Sequence, residues 1–250
     1  MCHALRCERP YLYAHSGDEL TELAWIHYGR YLNERLKGKP TQYITHRQDF
    51  YGREFYVDSH VLVPRPETEL LVETALNYLK QNEATVTVLD VGTGSGAIAI
   101  SVSLENGRTV LASDISFPAL TIAERNRQRH NARVQFFHAD LLESIAPRSI
   151  DLLLSNPPYV SRAEEPEMQR EVRDWEPHLA LFAEDDGFEI YRRLIADAAI
   201  AMRSGGRVLL ELGHQSLNQV REMFAGPWSD LSVHSDLAGV PRVIGATLLH

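Results

Sequence analysis

The spacing of apolar positions changes character about a third of the way along the chain. Over residues 10–37 the apolar side chains Leu20, Leu23, Ala24, Ile26, Tyr28, Tyr31, Leu32 and Leu36 recur at helical intervals. Ser16, with Glu19 three residues on, predicts the N-cap of this helix, and Gly38-Lys39-Pro40 predicts its end. Aromatic and polar residues then alternate about Tyr51-Gly52, which predicts a β-hairpin. Pro64 and Pro66 interrupt that rhythm, and a helical stripe of Leu70, Leu71, Ala75, Leu76 and Leu79 follows within 67–80. From residue 85 onward short apolar runs alternate with helical segments. Strands are predicted at 86–91, 109–114, 134–140, 150–155, 207–212, 231–235 and 243–249, and helices at 96–105, 117–130, 187–203 and 216–225.

Several of these strands are apolar on both faces, as a parallel sheet covered by helices on both sides requires. The alternation predicts a doubly wound α/β domain with a seven-stranded sheet. Only "DLAGVPR" separates the last two strands, so they should pair as an antiparallel hairpin. The expected organisation is a helical segment over 1–40, a β-hairpin linker over 41–66 and the α/β domain over 67–250.

Composition narrows the class. The chain has 250 residues, 44% hydrophobic and 24% charged, as expected of a globular domain with a small attachment. No apolar run approaches the roughly 20 residues of a membrane span, and the first ten residues lack a signal-peptide core, so a cytoplasmic protein is expected. The net charge of −9 opposes broad capture of nucleic acid, and the basic run "AERNRQRHNAR" reads as a solvated helix face. Cys2, His3 and Cys7 lack a second ligand pair at metal-site spacing, so no metal is expected.

Two motifs carry chemistry. "VLDVGTGSGAIAI" places Gly92, Thr93, Gly94, Ser95 and Gly96 between a strand and a helix, where backbone can approach a nucleotide-type ligand. Alone, it is equally a tight strand–helix turn. Asp114 ends the next strand about twenty residues on, where a carboxylate can accept from both ribose hydroxyls or cap the following helix. Asp140 ends the third strand, with a cap or turn role as the alternative. Asp90, in the first strand, suits a cationic ligand better than a pyrophosphate and favours S-adenosylmethionine over a nicotinamide cofactor.

The second motif is "SNPPYV". Pro157 and Pro158 have no N–H and cannot continue a ladder, and each holds its predecessor extended. Asn156 Oδ1 and the Pro157 carbonyl then form an acceptor pair suited to a substrate –NH2. An amide nitrogen is a poor nucleophile, so acceptors that hold its two hydrogens can aim it and stabilise charge developing on it. Tyr159 can lie against the planar group. The alternative is an irregular strand end.

These motifs, together with "KPTQYI", "VLVPRPETE", "EPHLALFAEDDGFEIYRRL", "GGRVLLELGHQ" and "DLAGVPRV", resemble the HemK-type release-factor glutamine methyltransferases over nearly the whole chain. The resemblance implies the S-adenosylmethionine-dependent methyltransferase fold, with S-adenosylhomocysteine as product. It implies methylation of the glutamine in the Gly-Gly-Gln motif of class I peptide chain release factors. By it, Gly92, Thr93, Gly94, Ser95, Gly96, Asp114, Leu141 and Asn156 contact the cofactor, while Asn156, Pro157, Pro158 and Tyr159 hold the glutamine, with Asn156, Pro157 and Tyr159 catalytic. Pro64, Arg65, Pro66 and Glu67 link the domains and wall the site, or serve only as a rigid connector. The family's N-terminal helical domain is longer than the segment before "KPTQYI", which bears on the grip on the release factor.

Rival readings are methylation of a ribosomal-protein glutamine, methylation of an exocyclic base amine in nucleic acid, a non-catalytic binding module, and a nicotinamide oxidoreductase. The intact "PRPETE" segment opposes the first and the acidic balance the second. The last lacks a catalytic proton donor near the loop.

Overall fold

The computed structural model describes residues 1–82, 86–183 and 186–249. Glu184 and Asp185 of the "EPHLALFAEDDGFEIYRRL" segment lie outside the described residues. Eleven α-helices are described: α1 (Cys2–Leu5), α2 (Arg9–Ala14), α3 (Glu22–Leu36), α4 (Thr41–Thr45), α5 (Glu69–Gln81), α6 (Ala97–Asn106), α7 (Phe117–His130), α8 (Arg170–Trp175), α9 (His178–Leu181), α10 (Glu189–Ala201) and α11 (Leu217–Met223). The strands are β1 (Gln48–Phe50), β2 (Arg53–Phe55), β3 (Val88–Val91), β4 (Val110–Asp114), β5 (Val134–His138), β6 (Ile150–Ser155), β7 (Met202–Glu211), β8 (Trp228–Ser235) and β9 (Pro241–Leu248).

The large sheet has the order β5-β4-β3-β6-β7-β9-β8. The first five are parallel, and β9 runs antiparallel to both β7 and β8, as the short connection over 236–240 requires. One core face joins α5 and α6 to the sheet through Leu71, Val72, Leu79, Ile100, Leu152 and Leu154. The other joins α10 and α11 through Tyr191, Leu194, Leu153, Val208 and Leu210. Leu152, Leu153 and Leu154 point to alternating faces yet are all fully buried. Burying each contributes about 1.5–3 kcal/mol, so a charge anywhere in this run would be strongly destabilising.

The N-terminal segment departs from expectation. The single helix expected over 10–37 is divided, and the long piece is capped at Thr21, whose Oγ1 accepts from Ala24 N at 3.3 Å, rather than at Ser16. Its apolar stripe is not a core face either: Leu23, Ile26, Leu32 and Leu36 are exposed, and Ala24 alone in the helix is buried. Among the described residues α3 packs mainly on the short α1 and α4, with Arg35 also ion-paired to Glu171 of α8, and these are too small to cover it.

The hairpin is present but shorter than 41–66 suggested, because "TQYIT" forms a helical turn. Tyr51 and Gly52 both take positive φ (49° and 70°), the requirement of a two-residue turn matching strand twist. Tyr51 N donates to Glu69 Oε1 at 2.8 Å, docking the hairpin on the start of α5. Strand β7 begins at Met202, five residues before the expected 207, with a register shift between Ile150 and Leu152. Gly206 makes this irregularity possible, since a Cβ there would stand 2.8 Å from the Arg203 carbonyl.

Candidate active site

The carboxyl ends of β3, β4, β5 and β6 converge on one cavity of about 800 Å³, within the range that holds small ligands. Val91 pairs with Ser155 across β3 and β6, so the glycine loop and the Asn-Pro-Pro segment leave the sheet at the same level. Gly92, Thr93, Gly94, Ser95, Asp114, Asp140, Leu141, Asn156 and Pro158 line this cavity, as do Pro64, Arg65 and Thr68 from the connector. Gly96, Pro157 and Tyr159 are not part of the lining. Pro157 is buried, and Tyr159 packs against Gly213.

The loop owes its shape to glycine at particular places. Gly92 and Gly94 take positive φ (72° and 56°), with open space where a Cβ would be. Gly96 serves packing instead: a Cβ there would stand 2.9 Å from Ile100 Cδ1 and 3.3 Å from Ala123 Cβ, so its absence lets α6 lie against α7. The loop N–H groups are mostly spent inside the turn. Gly92 N and Thr93 N donate to the Ser113 carbonyl at 2.9 Å, Gly96 N donates to Thr93 O at 2.8 Å, and Gly94 N donates to Asp114 Oδ2 at 2.8 Å. A turn that satisfies most of its own N–H groups is ill suited to cradle a pyrophosphate.

Asp114 Oδ1 accepts from Ser116 N at 2.9 Å, so this carboxylate braces the loop while facing the cavity. Burial pushes its pKa up, against the pull of the Ser116 and Gly94 N–H groups and of His138. The cap of α7 is Ser116, whose Oγ accepts from Ala119 N at 3.3 Å, which leaves Asp114 without the capping role. Asp90 lies beneath the loop, fully buried and outside the lining. Thr93 Oγ1 donates to its Oδ2 at 2.6 Å, Oδ1 has no partner, and burial raises its pKa to about 7. Its place is therefore under the loop and not against a ligand. Asp140 accepts from Arg193 Nη2 at 3.0 Å, and Leu141 beside it holds a positive φ of 47°.

Asn156 Nδ2 donates to Thr68 Oγ1 at 3.3 Å, which leaves Oδ1 as the acceptor of the side chain. Arg65 Nη2 donates to Glu176 Oε1 at 2.5 Å and Val63 N to Glu176 Oε2 at 3.3 Å, tying the connector to the segment after α8. Asn126 is fully buried and holds the connector to the glycine loop: its Oδ1 accepts from Tyr56 N, and its Nδ2 donates to Tyr56 O and Ser95 O. Sequence reasoning missed Thr68, Asn126, Glu176 and Glu211. Glu211 had a visible signal, a carboxylate ending the apolar run "RVLLEL", just as Asp90 interrupts "TVLDV".

The basic run on α7 is largely neutralised, with Arg127 paired to Glu124, Arg129 to Glu54, and Arg125 stacked over the Tyr56 ring. Among the described residues no group of three or more His, Cys, Asp or Glu is placed to hold a metal ion, and no helix is long and apolar enough to cross a membrane.

Two family models match: "Methyltransferase small domain" over residues 66–173 and "PrmC N-terminal domain" over residues 1–45. A release factor glutamine methyltransferase from Koribacter versatilis is 43% identical over 243 residues, covering 96% of this chain and 86% of the relative. One from Enterococcus faecalis is 41% identical, covering 85% of this chain and 77% of the relative. Among solved structures, a methyltransferase from Pyrococcus furiosus superposes with a TM-score of 0.58 at 17% identity, covering 89% of this chain and 98% of that one, which is a likeness of fold. With sheet order, glycine loop, Asn-Pro-Pro-Tyr segment and whole-length similarity in agreement, the chain belongs to the release factor glutamine methyltransferase family.

Proposed function

We propose that this protein transfers a methyl group from S-adenosylmethionine to the side-chain amide nitrogen of the glutamine in the Gly-Gly-Gln motif of class I peptide chain release factors. The observation that carries the reading is the shared level at which Gly92 and Asn156 leave adjacent strands, facing one cavity.

The residues present fit the cofactor. Gly92 and Gly94 open their backbone toward unfilled space, and Asp114 stands at the end of the neighbouring strand with a carboxylate for ribose hydroxyls. A loop that consumes its own N–H groups favours a ligand without phosphate. Gly92, Thr93, Gly94, Ser95, Asp114 and Leu141 would hold the cofactor, with Gly96 setting the helix behind them. S-adenosylmethionine supplies an electrophilic methyl group on a cationic sulfur.

The chain's own part is positioning. Asn156 Oδ1 accepts a hydrogen of the substrate carboxamide, and the Pro157 carbonyl, buried just behind the lining, is the second acceptor once the substrate seats against the segment. These contacts orient the nitrogen lone pair and stabilise the charge that grows on it as the new N–C bond forms. The amide then loses one hydrogen as a proton to water. Tyr159, braced on Gly213, stiffens the segment, and Pro158 closes the wall. No side chain of perturbed basicity is required.

The helical segment before the hairpin and the Pro64–Glu67 connector are proposed to meet the release factor, with residues 1–40, 41–66 and 67–250 as the working division. The expected compartment is the cytoplasm. Incubation with a release factor and S-adenosylmethionine should add one methyl group by intact mass, mapped to that glutamine. Asn156→Ala should abolish the addition while S-adenosylhomocysteine still binds. Methyl transfer undiminished in Asn156→Ala would sink the assignment.

A further inference from the structure

We propose that His60, oriented by Asp58, is a cofactor-binding residue whose Nε2 accepts a hydrogen bond from one ribose hydroxyl of S-adenosylmethionine, with Asp114 accepting from the other. This rests on the reading that the cavity holds that cofactor.

The connector before Pro64 brings an imidazole to the cavity, since His60 is one of its lining residues. The His60 Nδ1 lies 2.8 Å from Asp58 Oδ1, and the His60 backbone N donates to the same oxygen at 3.0 Å. An ionised carboxylate only accepts, so Nδ1 carries the ring hydrogen and Nε2 keeps a lone pair. Among the described residues no hydrogen bond engages Nε2. The result is a neutral acceptor on an oriented ring, its side chain 55% exposed at the cavity mouth.

Asp58 is itself held. Its Oδ2 accepts from Tyr56 Oη at 3.4 Å. The Tyr56 ring is stacked on His46, with centroids 5.1 Å apart, and carries the Arg125 guanidinium 3.5 Å from its centre. Tyr56 N and O are both bonded to Asn126, whose Nδ2 also donates to Ser95 O at 2.9 Å. The Asp58–His60 pair therefore shares an anchor with the glycine loop. A pair that only closed a surface turn would need no such anchor.

This pair stands at the ribose end of the cavity. Val61, next to His60, is buried with Ala119 and Ile122 of α7, and Ser116 and Ala119 at the start of α7 line the cavity just after Asp114. By Thr68 the same connector has reached Asn156. A cofactor beneath it lies with ribose toward Asp114 and His60 and its methyl group toward Asn156. Each ribose hydroxyl brings a proton that needs an acceptor. Both Asp114 oxygens already accept a backbone N–H, Oδ2 from Gly94 at 2.8 Å and Oδ1 from Ser116 at 2.9 Å. A second carboxylate beside Asp114 would repel it, whereas a neutral imidazole takes the other hydroxyl without adding charge.

The test is calorimetry at about pH 8 with S-adenosylhomocysteine and its 2′-deoxy and 3′-deoxy analogues. The proteins are wild type, His60→Ala, His60→Gln, Asp58→Ala and Asp58→Asn. His60→Ala should weaken S-adenosylhomocysteine about 3- to 10-fold. It should weaken one deoxy analogue by the same factor and leave the other, which lacks the hydroxyl that His60 meets, bound as tightly as by wild type. His60→Gln keeps an acceptor near the place of Nε2, and Asp58→Asn keeps the acceptor for Nδ1–H, so both should recover most of the affinity. Asp58→Ala should not. By NMR the wild-type ring should carry its hydrogen on Nδ1, and the Nε2 resonance should shift when S-adenosylhomocysteine is added. Unchanged affinity in His60→Ala, or an equal loss for all three ligands as from a merely distorted connector, would overturn the contact and leave the functional reading standing. If wild type binds no S-adenosylhomocysteine, the functional reading falls and the contact falls with it.

Discussion

Gly213 lies against the face of Tyr159 so closely that a Cβ on Gly213 would stand 2.7 Å from Tyr159 Cδ2 and 2.9 Å from Cγ. The loop after β7 is thus shaped to seat the last residue of the Asn-Pro-Pro-Tyr segment. Gly213→Ala should push the ring aside and loosen the acceptor pair behind it. Overpacking of this kind costs about 1–3 kcal/mol, so denaturant unfolding should show a modest loss. Methylation should fall more than stability does, with cofactor affinity unchanged; equal activity in this variant would mean that the ring's seat is immaterial.

Asn126 is bonded to both the connector and the glycine loop. Asn126→Leu would leave Tyr56 N, Tyr56 O and Ser95 O with lost partners, at about 1–3 kcal/mol for each buried group left unsatisfied. The expected outcome is a protein several degrees less stable in thermal unfolding that binds S-adenosylhomocysteine more weakly. Calorimetry on the folded fraction checks the second part.

Arg65→Ala would strip the guanidinium from Glu176, a residue whose carboxyl burial already pushes up and which Arg65 first, then Val63 N–H, hold down. Its pKa should rise further in the variant. The folded state then binds a proton that the unfolded chain does not between the two pKa values, so stability falls as pH rises through that window. Arg65→Ala should therefore be destabilised most at pH 8 and partly recover toward pH 5. Urea unfolding at both pH values measures it, and a pH-independent loss would mean that Glu176 is not the group responsible.

Asp90 follows the same sign. Its folded pKa, raised to about 7, lies above the ordinary carboxylate value, so its ionisation costs stability as pH climbs from about 4 to 7. Asp90→Asn keeps an acceptor for Thr93 Oγ1 and removes the charge. The thermal midpoint at pH 8 should rise by a few degrees, with little change near pH 4. A lower midpoint at pH 8 would show that the carboxylate is held ionised by something other than Thr93.

Much of this architecture is local in origin. The runs at β3, β4 and β6, the glycines that end β3 and the paired prolines after β6 each specify their own conformation within a few residues, and β6 and α7 begin and end where spacing predicts. Topology followed from the alternation of elements, and the site's position from where adjacent parallel strands end. Adjacency of distant side chains had no such local code. Thr68 lies 88 residues from Asn156, Arg65 111 from Glu176 and Tyr56 70 from Asn126; complementary faces of α5, α7 and the sheet bring them together. The same dependence explains the failure at α3, whose helical stripe is real but buries almost nothing because its main packing partners among the described residues, α1 and α4, are short. Backbone conformation is settled by neighbours along the chain, whereas burial, pKa and the direction of a hydrogen bond depend on which atoms the fold puts next to them.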